Sequence, residues 1–83
     1  MKKLQEYLSD YAHVAWSEWM KYMFEKSKQN DDGTVTIPKE LVDRWTRQSG
    51  TKYSELPENE KASDRKEADI IIDIFKVINN ETD

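Results

Sequence analysis

His13 is the only histidine in this chain, and its neighbours decide what it could do. Asp10 precedes it by three residues and Ser17 follows it by four, so on a helix the three share one side. Asp10 could orient the imidazole, but catalysis also needs a nucleophile or a partner carboxylate aimed at the ring. The chain has no cysteine and no serine in the turn of a nucleophile motif, so no triad can be completed. One histidine and one acid also fall short of a zinc ligand set. The expectation for His13 is a structural or hydrogen-bonding role.

The segment DDGTVT, starting at Asp31, has the look of half a calcium loop. With Asp31 as position one, Gly33 and Val35 occupy ligand positions and Val42 stands where a closing Glu is required. An ordinary polar turn is the better account. Asp64 and Arg65 are adjacent on a predicted helix and point in different directions, so each needs another partner. A structural ion pair from the third helix to the first is the expectation for them.

The aromatic residues carry more information. Trp16, Trp19 and Trp45, with Tyr11, Tyr22 and Tyr53, exceed what a small three-helix core needs. A partly exposed aromatic wall flanked by cations can stack a flat ring such as a nucleobase. Arg44, Arg47 and Lys52 lie close to Trp45 in sequence and could supply those cations.

What positions these groups follows from length and pattern. Eighty-three residues leave room for a single domain, 1–83, with linkers near 28–37 and 49–57. Residues 4–28 lack Pro and Gly, and their bulky residues form two helical stripes: Leu4, Leu8, Tyr11, Ala15, Trp19 and Tyr22, then Ala12, Trp16, Met20 and Met23. Asp-Asp-Gly ends this long first helix, since Gly33 takes positive φ without steric cost. TVTI is β-branched and reads as a brief extended arm with no partner strand. Pro38 suits a helix's first turn and Gly50 its end, predicting a short second helix over 38–48. Pro57, Glu58 and Glu60 open a long third helix whose apolar face is Ala68, Ile71, Ile72, Phe75 and Ile78, ending at Asn79–Asn80. The fold class is all-α, three helices around one aromatic-rich core.

Charge excludes some functions. Residues 58–83 hold eight acids against four bases and account for a net charge equal to the chain's −4. No stretch supplies the basic face that grips a phosphate backbone, which argues against nucleic acid as the main partner. Two or three local cations could still hold a small phosphorylated ligand. No segment has the ~20 apolar residues of a membrane span, and Glu6 and Asp10 interrupt a would-be signal core. With no cysteine as well, a soluble cytoplasmic protein is expected, without membrane association.

AHVAW near the start and YSELPENEKASDRKEADII near the end together resemble the RyR domain, a small repeat first named in ryanodine receptors and found singly in bacterial and phage proteins. The family pairs His-x-x-Trp with Tyr-x-x-Leu, then Glu-Lys, two residues, and Asp-Arg. Here these are His13 and Trp16, Tyr53 and Leu56, Glu60 and Lys61, Asp64 and Arg65. The two motifs cover about half the chain; between them, QNDDGTVTIPKELVDRWTRQSG replaces the family's Gly-Trp-rich segment and its His-Pro-Leu-Val-Pro-Tyr-like run.

The resemblance implies a non-enzymatic ligand-binding or regulatory module, with bacterial defence and nucleotide signalling as its setting and no cofactor. His13, Trp16, Tyr53, Lys61 and Arg65 would then line the site, aromatics stacking a base while Arg65 and Lys61 neutralise phosphate; Trp45, Arg44 and Arg47 would add a further wall. The leading expectation is that the chain binds or sequesters a nucleotide-derived signal, as a single copy or a homo-oligomer. The alternative is an acidic module or inhibitor that docks on a host protein through its aromatic face and third helix.

Overall fold

The structure, a computed structural model, describes residues 2–81. It is all-α apart from one short hairpin: a long α1 (Lys2–Lys26), β1 (Lys28–Gln29), β2 (Val35–Thr36), a short α2 (Lys39–Ser49), and a long α3 (Glu58–Glu81). A single 3-10 turn, Tyr53–Glu55, interrupts the second linker.

The TVTI segment does not stand alone as the sequence suggests. Val35 and Thr36 pair antiparallel with Gln29 and Lys28. The partner strand is invisible in the sequence because Lys28 and Gln29 have little β preference. Turn chemistry makes the pairing. Asn30 N–H donates to the Thr34 carbonyl at 2.9 Å, and Asp32 Oδ1 accepts from Thr34 N–H at 3.0 Å and from the Thr34 hydroxyl at 2.6 Å. These bonds hold the Asp32 carboxyl below its ordinary acid range. Asn30 Nδ2 donates to the hydroxyls of Thr34 and Thr36, both at 3.0 Å. Gly33 takes φ 90° at the tip, as the Asp-Asp-Gly signature requires.

Helix ends follow local bonding. Ser27 closes α1, its hydroxyl donating to the Met23 carbonyl at 2.7 Å. Pro38 precedes α2, and its carbonyl accepts from Leu41 and Val42 N–H. At the far end Gly50 N–H donates to Thr46 and Arg47 carbonyls, while Thr51 Oγ1 caps the Arg47 carbonyl at 2.6 Å. Pro57 starts α3 in the same manner, its carbonyl taking Glu60 and Lys61 N–H at 3.0 Å. Acids Glu58 and Glu60 then occupy the positive end of the helix dipole. α3 continues past Asn79–Asn80 to Glu81.

The chain divides into two compact units, Met1–Val14 with Pro57–Asp83, and Ala15–Leu56. Among the described residues, the buried hydrophobic side chains are Ile78 in the first unit and Leu56 in the second, each 8% exposed. Of the predicted core face of α3, Ile71, Ile72 and Phe75 stay exposed. The first unit has two helices in it, and two helices cannot enclose a wide apolar arc.

Replacing Gly33 by Ala should cost about 1 kcal/mol, because a Cβ at φ 90° is strained even though nothing lies within 4 Å of it. Urea unfolding of Gly33→Ala beside the wild type checks this; an unmoved midpoint would show that the turn relaxes freely.

Candidate functional site

In the second unit the aromatic residues gather around α1 and α2. Trp19 and Tyr22, one turn apart on α1, lie 5.5 Å apart between ring centroids. Trp45 from α2 meets Trp19 edge-on, with centroids 5.2 Å apart and planes at 86°, and sits 6.4 Å from Tyr22. The edge-to-face arrangement sets the positive rim of one ring against the negative face of the other, worth ~1 kcal/mol beyond burial. Lys26 Nζ stands 5.7 Å from the Tyr22 ring centroid, one turn further along α1.

The cluster is only part-covered. Trp45 and Tyr22 are half-buried, and Trp19 is exposed. Trp16 shows 60% of its surface and Tyr53, which opens the 3-10 turn, shows 47%. Phe24 and Val42 are exposed as well. Arg44 and Arg47 are exposed on α2, three residues apart and so on neighbouring positions of one helix face. Ala15–Leu56 holds seven basic and seven acidic residues, so this unit is neutral.

The first unit holds the remaining candidates. His13 is exposed on α1, Lys61 half-buried and Arg65 exposed on α3. Arg65 finds a partner on its own helix: Nη1 donates to Glu58 Oε2 at 3.1 Å, two turns back. Glu60, beside Lys61, is 7% exposed. Tyr11 donates its hydroxyl to Glu67 Oε2 at 2.5 Å, tying α1 to α3 within this unit. That bond, helped by desolvation and by the charge of Glu67, pushes the Tyr11 hydroxyl up to about 12. An open apolar groove of about 410 Å³ is lined by Leu4, Gln5, Leu8, Ser9 and Ala12 of α1. Six basic and ten acidic residues give this unit a net charge of −4, equal to that of the whole chain.

The five residues of the proposed nucleotide site therefore fall into two groups, His13, Lys61 and Arg65 in one unit and Trp16 and Tyr53 in the other. The further wall of Trp45, Arg44 and Arg47 lies wholly in the second unit. Among the described residues no group of three His, Asp or Glu side chains is placed to hold a metal ion, and no helix is long and apolar enough to cross a membrane. Sequence reasoning missed Lys26 and Glu67. The four-residue step from Tyr22 could have found Lys26, whereas no local signal pairs Tyr11 with a residue 56 positions away. No family model matches this chain, and no curated protein or solved structure matches it.

The Tyr11 bond has a pH signature. The folded-state value lies above the ordinary 10.0, so the bond's stabilisation is complete below pH 10 and fades as pH climbs through 10 towards about 12. Ultraviolet titration of tyrosinate should show one late-ionising tyrosine that Glu67→Ala returns towards the other three. Four tyrosines titrating together would rule the bond out in solution.

Proposed function

We propose that this chain is a non-enzymatic binding module whose partner is a protein, docked through the aromatic face of residues 15–56 and steered by the acidic third helix. The observation that carries the reading is the exposure of Trp16, Tyr53, Trp19 and Phe24 in one unit. Large aromatic side chains left in water are what protein interfaces use as anchors, because a partner can desolvate them at little cost in conformational entropy. The net charge of −4 favours a partner with a basic rim, which raises the rate of encounter. The likeness of the two end motifs to the RyR domain supports a binding role over a catalytic one, as does the lack of cysteine and of a second histidine.

A nucleotide-derived ligand is the second reading. The same exposed faces of Trp16 and Tyr53 could stack a base, and Arg44 and Arg47 carry the right charge for phosphate. A small ligand is held tightly only in a concavity that covers most of it. The groove on α1 is open and is lined by neither a cation nor an aromatic ring, which is why the protein partner ranks first.

Trp16→Ala and Tyr53→Ala should each weaken capture of the partner at least about tenfold, the loss typical of an aromatic anchor. Both sites are exposed, so melting temperature should barely move. Charge reversal at Asp69 and Asp73 should slow capture further. A micromolar nucleotide that raises the melting temperature, with the rise abolished by Arg44→Ala or Arg47→Ala, would transfer the function to the second reading.

A further inference from the structure

The C-terminal half of α3 is apolar around most of its girth. At 100° per residue, Ala68, Ile70, Ile71, Ile72, Ile74, Phe75, Val77 and Ile78 sweep an arc of about 220°. Only Ile78 is buried and Ile74 half-buried; Ile72 and Phe75 expose 49% and 43%. One neighbouring helix covers a stripe of ≳100°, so a second must cover the rest for this surface to leave water.

Ala68, Ile72, Phe75 and Asn79 follow one another by four, three and four residues, the spacing of a coiled-coil seam. Asp69 and Lys76 lie seven apart along the same flank of that seam, both exposed. Opposite charges at equivalent flank positions are self-complementary when two such helices run antiparallel. We propose that a second copy of this chain docks along α3 in this way, seating Ala68, Ile72 and Phe75 against the same seam of its partner. Asp69 then faces Lys76 of the partner subunit, and the two-fold axis creates the pair twice.

Among the exposed large apolar residues of this helix, Ile72 and Phe75 lie on the seam and Ile71 beside it, while Ile70 and Val77 lie about 170° round the helix and stay outside this contact. The unit's net charge of −4 opposes the pairing, but exposed charges more than ~8 Å apart are largely screened at physiological salt. The proposal does not depend on the aromatic face of the second unit.

Sedimentation of the full chain tests it, run up to about 100 μM, where a complex with micromolar affinity is saturated. The wild type should sediment at twice 9.9 kDa. Asp69→Lys should raise the dissociation constant at least about tenfold by setting like charges face to face, and the swap Asp69→Lys with Lys76→Asp should restore it. Circular dichroism confirms that each variant stays helical. A monomer at the highest concentration, a dimer indifferent to Asp69→Lys, or one that the double swap leaves dissociated would each overturn the proposal, as would a dimer dissolved by Trp16→Ala.

Discussion

The apolar arc of α3 is wider than the two helices of its unit can enclose, and much of the molecule's character follows from that mismatch. Folding must offset the conformational entropy of every ordered residue, at roughly 1–2 kcal/mol each for the backbone. In this chain the apolar side chains exist, but Ile71, Ile72, Phe75 and Val77 are left in water instead of contributing to that balance. The fold therefore leans on polar contacts: helix capping, the Asx-type turn at Asp32, the Arg65–Glu58 pair and the long-range Tyr11–Glu67 bond. Each sits at an exposed site, where such a contact adds little net stability. A small domain so constituted gains disproportionately from any partner that covers its apolar surface, since binding to the folded state adds directly to stability.

The second unit resolves the same shortage differently. Its hairpin and short α2 are too polar to form a conventional core, so three rings gather, Trp19 meeting Trp45 edge to face and Tyr22 tilted against both. Aromatic rings suit that task because a few of them supply large area with few rotatable bonds. The outcome is a part-covered aromatic cluster, and Trp16 and Tyr53 of the same unit are exposed. Recognition surfaces are built this way when anchors must be fixed before a partner arrives.

Much of this was legible in the residues. The period of Leu4, Leu8, Tyr11 and Ala15 announces α1, Pro38 and Gly50 bracket α2, and Pro57 with two acids opens α3, because capping and periodicity are local properties. Helical spacing favoured a core role for the tryptophans and left a partly exposed wall as the alternative; Trp16 and Trp19 are exposed and Trp45 half-buried. What did not read is non-local. Lys28–Gln29 becomes a strand only because the turn returns the chain beside it, and Tyr11 meets Glu67 only after two distant helices pack. Burial was the largest miss: periodicity says which residues share a face, but whether Ile72 and Phe75 leave water depends on how many helices surround them. For the candidate site, the family resemblance groups His13, Trp16, Tyr53, Lys61 and Arg65, of which His13, Lys61 and Arg65 belong to one compact unit and Trp16 and Tyr53 to the other. A motif records spacing along the chain and carries no statement about which compact body each member joins.

Charge and exposure point the same way in this molecule. The acids are concentrated in the unit that also exposes the isoleucine-rich helix, while the aromatic platform belongs to a neutral unit. An apolar surface without charge around it invites indiscriminate association. Asp69 and Asp73 beside Ile70–Ile72 raise the cost of any neighbour that lacks a complementary cation, so the face becomes selective rather than merely sticky. The neutral aromatic platform is under no such restriction and is free to use its rings against a partner of different chemistry. Two surfaces of distinct selectivity on one short chain would separate the apolar contacts of self-association from those of recognition, with Asp69 common to both.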